Sequence, residues 1–256
     1  MFKIYFKKFN MKKFKKNILI TGSSSGIGWK IAQILSKNKN NNIIINSRNL
    51  KKLKKSSEGL GNCKFVIGDV TKIKDLKKIG NKIKNIDVLI CNVGNGKSAK
   101  PGEEKKEDWV KSLNENFFSA VDTIKIFEKK LIKSKGMIIC ISSVCGIEYV
   151  KDAPVTYSVS KSALNTFVKC YSKILGPKGV KLNAIAPGNI MFEGSVWQKK
   201  LKTNQVKVKN FLKNEVSLQK IGSSSDIAET VNFIISNSNF ITGSVFVIDG
   251  GQTKNF

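Results

Sequence analysis

The most restrictive absence in this 256-residue chain is histidine, which does not occur at all. Without an imidazole, the protein has no Ser-His-Asp or Cys-His nucleophile system and no histidine-ligated zinc or iron site. If the protein is an enzyme, its proton transfers must depend on Tyr, Lys, Asp, Glu or Cys.

Paired cysteines and long apolar runs are missing as well. No Cys-x-x-Cys pair occurs among the five cysteines, which are Cys63, Cys91, Cys140, Cys145 and Cys170. An odd number of cysteines within apolar runs predicts free, buried thiols in a reducing cytoplasm, and no metal site. No stretch approaches the roughly 18 to 20 unbroken apolar residues of a membrane span, so we expect no integral membrane association.

Acidic residues are scarce beside basic ones, with 18 Asp and Glu against 46 Lys and Arg and a net charge of +28. Such an excess can indicate a nucleic-acid partner or a membrane surface. The lysines are scattered, however, without the interleaved aromatic residues of a base-stacking surface. We therefore interpret the charge as solvated surface and predict no specific nucleic-acid partner. Residues 1–16 are the exception: Phe2, Phe6 and Phe9 recur among lysines there, and we predict a mobile basic tail.

Seven short apolar runs recur along the rest of the chain, separated by helix-compatible stretches. They cover residues 18–20, 43–45, 65–67, 88–90, 137–141, 182–185 and 245–248. Almost continuous apolar character is typical of parallel strands covered by helices on both faces. The sequence predicts one α/β domain over residues 17–256, a Rossmann-type doubly wound fold with a seven-stranded, mainly parallel sheet. Residues 193–217 are polar, lysine-rich and long, and they predict a segment that covers the ligand.

A glycine-rich turn joins the first apolar run to the first helix-compatible stretch. Its sequence from Thr21 to Gly28 is T-G-S-S-S-G-I-G. Glycines allow a tight turn and a close approach of the backbone to a pyrophosphate, and the helix that follows offers amide donors. The position of the turn, between the first strand and the first helix, predicts a dinucleotide site.

The residues after the second run favour NADP(H) over NAD(H). Folds that prefer NAD usually place an acidic residue here to bind the ribose 2′-hydroxyl, whereas this chain has no Asp or Glu before Glu58. Its single arginine, Arg48, follows Ser47 instead. A guanidinium can fork onto a phosphate and stack on an adenine ring, so we predict NADP(H) as the cofactor.

Two further strand ends fit the same ligand. Asp69 and Val70 close the third run, where the carboxylate can accept a hydrogen bond from the adenine amino group. Asn92 and Gly94 close the fourth, where glycine permits close approach to the nicotinamide-side ribose. Each is an ordinary strand-end turn by itself, so the argument depends on their order along the chain.

The candidates for the chemistry follow in the order Asn116, Ser143, Tyr157 and Lys161. Tyr157 and Lys161 are four residues apart and so share one face of a helix. A nearby ammonium favours the phenolate, so we expect Lys161 to lower the pKa of Tyr157 from about 10 toward the working pH. Such a tyrosine is a general acid and base that a histidine-free chain can still build.

Together these motifs resemble the short-chain dehydrogenase/reductase family over about residues 17–251. The resemblance rests on the glycine-rich turn, the Asn-x-Gly at 92–94, the four candidates above, Pro187-Gly188 and the stretch at 241–251. It implies hydride exchange between a nicotinamide and a carbonyl or secondary alcohol. The cofactor-binding residues that it implies are Gly22, Ser24, Ser25, Gly26, Ile27, Gly28, Ser47, Arg48, Asp69, Val70, Asn92, Gly94, Tyr157, Lys161, Pro187, Gly188 and Ile190.

The resemblance also implies roles for the catalytic candidates. Tyr157 would protonate the carbonyl oxygen or deprotonate the alcohol, and Ser143 would hold that oxygen. Lys161 would bind the ribose and tune Tyr157, and Asn116 would hold a water in the proton relay. We assign the serine role to Ser143 rather than Ser142, because V-C-G follows it in the family's register.

Two departures from the family pattern concern the ligands. Val93 stands where alanine is usual, and the threonine usually found two residues after Ile190 is missing, since the sequence there is N-I-M-F-E. This stretch leads into residues 193–217, which form the substrate lid in the relatives. The departures therefore weaken any assignment of the substrate that is carried over from a single relative.

The resemblance is to the 3-oxoacyl-acyl-carrier-protein reductases of fatty acid biosynthesis, whose acidic carrier protein suits a basic surface. Lys135 and Lys178 stand near the positions where those reductases carry carrier-contacting residues. The polar segment 193–217 favours instead a sugar or polyol dehydrogenase of surface-glycan biosynthesis. A third alternative is a non-catalytic NADP- or nucleic-acid-binding protein, against which the complete catalytic set argues. The relatives imply a homotetramer or a homodimer.

Overall fold

The computed structural model describes residues 15–237 and 239–254 and contains one seven-stranded sheet in which every neighbouring pair of strands is parallel. The strands in chain order are β1 (Lys16–Ile20), β2 (Asn41–Ser47), β3 (Cys63–Ile67), β4 (Val88–Cys91), β5 (Met137–Ile141), β6 (Lys181–Pro187), β7 (Ile190–Met191), β8 (Gly222–Ser223) and β9 (Val245–Ile248). The sheet order is β3-β2-β1-β4-β5-β6-β9, and β7 and β8 form a separate pair. The doubly wound, seven-stranded fold is confirmed, and each predicted apolar run lies within one strand.

Helices cover both faces of the sheet. They are α1 (Gly26–Ser36), α2 (Leu50–Glu58), α3 (Ile73–Lys82), α4 (Lys106–Leu113), α5 (Ser119–Ser134), α6 (Val155–Leu175), α7 (Val196–Thr203), α8 (Gln205–Glu215) and α9 (Ser224–Asn237). A π-helical turn at Asn114–Phe118 joins α4 to α5. Among the helices so described, none combines the length and the apolar character that a membrane crossing requires.

The strand side chains alternate between two apolar layers, because successive residues of a strand point to opposite faces. Ile18 and Ile20 pack with residues of α1 and α9 on one face, whereas Leu19 packs with residues of α3, α5 and α6 on the other. All three side chains are fully buried. Burial on both faces explains why the strands are rich in Ile, Leu and Val without alternation.

The fold differs from the sequence prediction at three places. Cys170 is exposed, whereas we predicted buried thiols. Lys16, which we assigned to the N-terminal tail, pairs with Asn41 at the start of β1. Its stem is partly buried, and its ammonium donates to the Ile235 carbonyl at 3.2 Å. Residues 1–14, which make up most of that tail, lie outside the described residues. The β7–β8 pair was not predicted, because strands of two residues are too short to produce an apolar run.

Candidate active site

A large cleft of about 2010 Å³ opens at the carboxyl ends of the parallel strands. One end is formed by the glycine-rich turn and the residues after β2 and β3, and the other by the residues after β5 and by α6, α7 and α8. The chain reverses its direction of winding between β1 and β4, the position at which open α/β sheets bind ligands. Residues 193–217, the predicted lid, contribute α7 and α8 to the wall.

All but two of the predicted site residues lie in the wall of this cleft. Those in the wall are Gly22, Ser24, Ser25, Gly26, Ile27, Ser47, Arg48, Asp69, Val70, Asn92, Gly94, Ser143, Tyr157, Lys161, Pro187, Gly188 and Ile190. The other two, Gly28 and Asn116, lie directly behind it, against Asn92 and Gly94 respectively. In this structure these two residues contact the wall residues in front of them and not the cleft itself.

The glycine-rich turn after β1 has a backbone that favours glycine. Gly22 and Gly26 have φ angles of +61° and +59°, in the left-handed region that residues with a Cβ disfavour. A Cβ at Gly28 would lie 2.5 Å from Asn92 Nδ2 and 2.8 Å from the Gly22 carbonyl oxygen, so α1 packs this closely only with glycine there. Gly26 and Ile27, at the N-terminus of α1, therefore line the cleft, where their amides fit a pyrophosphate.

Hydrogen bonds hold this turn against the neighbouring strands. Asn92 Nδ2 donates to the carbonyls of Thr21 (3.1 Å) and Gly22 (3.0 Å), and the Thr21 hydroxyl accepts from the Asn92 amide at 3.0 Å. On the other side, the Ser23 hydroxyl accepts from the Asn46 amide at 3.0 Å. The turn is thus fixed by the protein itself, which reduces the entropy lost on binding.

Two cations lie at the far end of the cleft, after β2. The Arg48 side chain is 74% exposed, and its guanidinium lies 3.6 Å from the Asp69 carboxylate. Lys52, in the first turn of α2, also lines the wall. We did not predict Lys52 from the sequence. Its position four residues after Arg48, in the first turn of the helix that follows, could have indicated a second cation at the same end of the cleft. A phosphate beside Arg48 would therefore meet a second positive charge.

The loop around Asp69 orients its carboxylate. Asp69 Oδ1 accepts from the Thr71 amide at 3.0 Å and from its hydroxyl at 2.7 Å. Burial raises the pKa of Asp69, but the Thr71 hydrogen bonds and the Arg48 charge outweigh burial and leave the pKa below its ordinary value. The carboxylate is therefore ionised, and its Oδ2 faces Arg48.

Asn116 lies in the π-helical turn between α4 and α5 and is only 1% exposed. Its Nδ2 donates to the carbonyls of Asn95 (3.0 Å) and Ser112 (3.1 Å), and its Oδ1 accepts from the Asn95 amide at 2.8 Å. A Cβ at Gly94 would lie 2.9 Å from Asn116 Oδ1 and 3.0 Å from Lys161 Nζ. Glycine at position 94 therefore lets this loop approach both side chains.

The two serines after β5 have different surroundings. The Ser142 hydroxyl donates to the Lys161 carbonyl at 3.5 Å, inside the fold. The Ser143 hydroxyl accepts from the Cys145 amide at 3.2 Å and forms a hydrogen bond with Tyr157. The structure thus brings Ser143 rather than Ser142 to the phenol, in agreement with the family register.

Burial, rather than the charge of Lys161, dominates the acidity of Tyr157. It raises the pKa of Tyr157 to about 12, although the Ser143 hydrogen bond acts in the opposite direction. Lys161 Nζ lies 5.8 Å from the Tyr157 ring centre and donates to the Ile141 carbonyl at 2.9 Å. Our expectation that Lys161 lowers the pKa of Tyr157 is therefore wrong for this structure, because desolvation of the phenolate outweighs an ammonium so placed. Burial also lowers the pKa of Lys161, to about 8.

The segment after β6 reaches back to the glycine-rich turn. Gly188 packs against Asp249, since a Cβ there would lie 2.7 Å from the Asp249 Cβ. Ile190 is buried in β7. Phe192 stands in place of the family's threonine, and its ring lies 3.1 Å from the position of a Cβ at Gly26. An aromatic ring rather than a hydroxyl therefore faces the turn.

Several wall residues carry no sequence motif. Trp197 of α7 and Phe211 of α8 have ring centres 5.3 Å apart, and Lys200 Nζ lies 4.7 Å from the Trp197 ring centre. Gln252 and Lys254, in the short stretch after β9, also line the wall. Within residues 15–237 and 239–254, no group of three Cys, Asp or Glu side chains is placed to hold a metal ion.

Comparisons with known proteins cover almost the whole chain. The sequence model of the family described as enoyl-(acyl carrier protein) reductase matches residues 22–253. The 3-oxoacyl-[acyl-carrier-protein] reductase of Thermotoga maritima is 32% identical over 92% of this chain and 97% of that protein. Glucose 1-dehydrogenase 2 of Bacillus subtilis is 28% identical over 93% and 95%, respectively. The solved structure of ElxO with NADP bound is 32% identical in sequence and has a TM-score of 0.84. The match covers 93% of this chain and 99% of the ElxO chain.

Proposed function

Because this chain belongs to the short-chain dehydrogenase/reductase family, we propose that it is an NADP(H)-dependent carbonyl reductase whose substrate is a 3-oxoacyl thioester carried by acyl carrier protein. The observation that carries the chemistry is the meeting of Ser143, Tyr157 and Lys161 in one cleft with the glycine-rich turn. The thioester rests on the similarity to the Thermotoga maritima reductase.

Tyr157 supplies the proton in this proposal. With a pKa of about 12, its phenol is protonated at neutral pH and donates to a carbonyl oxygen, which favours reduction over alcohol oxidation. Ser143, already hydrogen-bonded to Tyr157, holds the same oxygen. The ammonium of Lys161, protonated below a pH of about 8, stabilises negative charge that develops on Tyr157 during the transfer. The reduced nicotinamide, when bound, supplies the hydride.

The remainder of the cleft fits NADP(H). In this proposal the N-terminal amides of α1 bind the pyrophosphate, and Arg48 and Lys52 bind the 2′-phosphate, since all of these groups line the cleft. The end of β2 has no carboxylate for the 2′-hydroxyl that would mark a preference for NAD. The similar protein ElxO was solved with NADP bound, which supports the same choice here.

Arg48→Gln is expected to raise the Kd for NADPH by about 10- to 100-fold, because charge-assisted hydrogen bonds to phosphate are worth about 1.5 to 3 kcal/mol. The Kd for NADH should change by less than about twofold, since NADH has no 2′-phosphate. Fluorescence titration with both cofactors measures the two constants. Lys51→Gln is the matched control, because Lys51 lies in the first turn of the same helix but does not line the cleft. Tighter binding of NADH than of NADPH by the unaltered chain would contradict the assignment.

A sugar or polyol dehydrogenase is the second candidate. Polar residues of the lid, among them Thr203, Asn204 and Asn210, line the cleft, and the glucose 1-dehydrogenase of Bacillus subtilis is a relative over nearly the whole chain. The aromatic pair of Trp197 and Phe211 in the same lid suits an acyl chain or its carrier arm better. We therefore rank the thioester first.

The experiment that tests the proposed function follows the absorbance of NADPH and NADH in parallel, with a short 3-oxoacyl thioester as substrate. We expect NADPH to be consumed at least about tenfold faster than NADH at equal, subsaturating concentrations. Reduction of NADP⁺ by glucose or a polyol, with no turnover of the thioester, would replace the first candidate by the second.

The pair of Lys135 and Lys178, the candidate docking site for a carrier protein, does not lie beside the cleft of the same chain. A Cβ at Gly179 would lie 3.2 Å from Lys135 Cγ, so Lys135 lies beside the exposed Lys178, which is ion-paired with Glu128 at 3.5 Å. The pair lies at the amino ends of β5 and β6, about 16 Å or more from the cleft, given a strand rise of about 3.3 Å per residue. We therefore propose that a carrier docked there serves another copy in a homodimer or homotetramer, which sedimentation analysis would detect.

A further inference from the structure

Two buried polar atoms in the wall of the cleft have no hydrogen-bond partner. They are Asn189 Nδ2, a donor, and Gln252 Oε1, an acceptor. Gln252 is only 6% exposed. Leaving a buried donor or acceptor unsatisfied destabilises the fold, so a fold that keeps two of them on a ligand cleft points to a ligand that pairs with both.

Gln252 lies close to the backbone segment that carries Asn189, and both residues line the same cleft. Asn189 directly follows Gly188, and a Cβ at Gly188 would lie 3.2 Å from Gln252 Oε1. Glycine at position 188 therefore leaves space for Gln252 next to this segment. One side chain offers a donor and the other an acceptor, so the pair complements a group, or two adjacent groups, that accept one hydrogen bond and donate another.

The backbone on both sides of the pair is fixed by hydrogen bonds. The Asn189 carbonyl accepts from the Gly222 amide at 2.9 Å, which starts the β7–β8 pair. Near Gln252, the Asp249 carboxylate accepts from the amides of Gly251 (2.9 Å) and Thr253 (2.7 Å). Both side chains are thus held on rigid segments, which is the arrangement expected of a preorganised recognition site.

The pair lies on the catalytic side of the cleft. Asn189 follows β6, which is paired with β5, and the Ser142 amide at the end of β5 donates to the Ile185 carbonyl of β6 at 2.7 Å. Ser143, the residue that hydrogen-bonds Tyr157, comes next in the chain. Phe192, three residues beyond Asn189, is the part of this segment that approaches the glycine-rich turn. Asn189 and Gln252 therefore lie on the side of the cleft that holds Ser143 and Tyr157.

We infer that Asn189 and Gln252 recognise polar groups of the substrate next to the reacting carbonyl, one that accepts from Asn189 Nδ2 and one that donates to Gln252 Oε1. This inference rests on the proposed function and narrows its substrate class. In a carrier-bound 3-oxoacyl thioester, the thioester carbonyl accepts and the first amide N–H of the carrier arm donates. In a polyol or sugar, a hydroxyl beside the carbonyl does both. A substrate with only alkyl groups there leaves both protein atoms unpaired and is selected against.

The test compares two thioesters that differ in the amide. Acetoacetyl-N-acetylcysteamine carries it, and the S-butyl thioester of acetoacetate does not. We expect the wild-type chain to have a KM about tenfold lower for the first, and Gln252→Met to raise that KM about tenfold with little change in kcat, so that the preference disappears. Asn189→Leu, which removes the donor, should raise the KM for both thioesters.

Asn165→Leu is the matched control. Asn165 is a buried amide whose Oδ1 also has no partner, but it does not line the cleft, so its substitution should leave the ratio of the two KM values unchanged. The Kd for NADPH, measured by fluorescence, should be unaltered in Gln252→Met. An unchanged KM ratio in Gln252→Met would overturn the inference. So would a weakened NADPH complex with an unchanged ratio, which would assign the pair to the nicotinamide carboxamide.

A second comparison separates this inference from the proposed function. Hydroxyacetone and butanone differ in a hydroxyl beside the carbonyl. If the wild-type chain reduces neither thioester but prefers hydroxyacetone, and Gln252→Met removes that preference, the thioester assignment fails while the role of the pair stands. If the wild-type chain and Gln252→Met each reduce butanone and hydroxyacetone at equal rates, the pair does not select for a hydroxyl and this form of the inference fails.

Discussion

Tyr157→Phe is expected to lower kcat for carbonyl reduction by about 10³-fold or more, with a change of less than about twofold in the Kd for NADPH. The substitution removes the phenol that donates the proton and keeps the ring beside Lys161 Nζ. It also leaves the glycine-rich turn and Arg48 untouched, so the cofactor should bind as before. Stopped-flow measurement of NADPH oxidation gives the first quantity, and fluorescence titration gives the second.

Tyr171→Phe is the control for this variant. The Tyr171 hydroxyl donates to the Glu128 carboxylate at 2.6 Å, and Tyr171 lies outside the wall of the cleft. Loss of that hydroxyl should reduce stability slightly and leave kcat unchanged. If Tyr157→Phe kept more than a tenth of the activity, another group would be the proton donor. The Cys145 thiol, protonated because burial raises its pKa, would be the first to examine.

The pH dependence of this step follows from the two pKa values. Tyr157, with a pKa of about 12, stays protonated across the physiological range. Lys161 loses its charge as the pH rises through about 8. The rate of reduction should therefore be level below pH 8 and fall above it, because the neutral amine no longer stabilises the developing phenolate.

The fold could be predicted because its signal is local and is repeated seven times. Ile18, Leu19 and Ile20 are consecutive and apolar, and each is fully buried because helices cover both faces of the sheet. In a strand with one solvent-exposed face, apolar and polar residues would have alternated along the sequence. The turn after β1 could be predicted for a similar reason. The local backbone has positive φ angles at Gly22 and Gly26, which glycine adopts more readily than other residues.

The acidity of the site could not be predicted from spacing. The separation of four residues placed Tyr157 and Lys161 on one helix face, but the balance of charge and burial depends on the rest of the fold. Lys161 Nζ donates to the Ile141 carbonyl at the end of β5, and both groups are desolvated by packing against segments that are distant in the sequence. The desolvation raised one pKa and lowered the other, against the expected direction for Tyr157.

Contacts between distant segments were equally invisible in the sequence. The contact of Phe192 with Gly26 and the proximity of Gln252 to Gly188 join parts of the chain that no motif connects. The second arises because β6 and β9 are neighbours in the sheet and their carboxyl ends meet at the cleft. The sequence showed that the family's threonine is missing. Only the fold showed that Phe192, in its place, packs against Gly26.

Lys161→Met is expected to abolish turnover and at the same time to stabilise the protein. Lys161 is 3% exposed, and burial lowers its pKa from 10.5 to about 8. The charged ammonium therefore destabilises the folded state by about 3 kcal/mol, from about 1.4 kcal/mol per pKa unit. Met has a similar length and no charge. After allowing about 1 kcal/mol for the lost hydrogen bond to Ile141, the gain is about 2 kcal/mol, or roughly 4 to 8 °C in Tm.

The pH dependence of this stability difference distinguishes the explanation from better packing of the methionine. Below pH 8 the lysine is protonated in both the folded and the unfolded chain, so the full penalty is present and Lys161→Met should show its largest advantage. Between pH 8 and 10.5 the folded wild-type chain releases the proton that the unfolded chain keeps, and the advantage should shrink with rising pH. Thermal unfolding of both proteins at pH 7, 9 and 10.5 measures this trend. An advantage that is independent of pH would mean that the buried charge is not its cause.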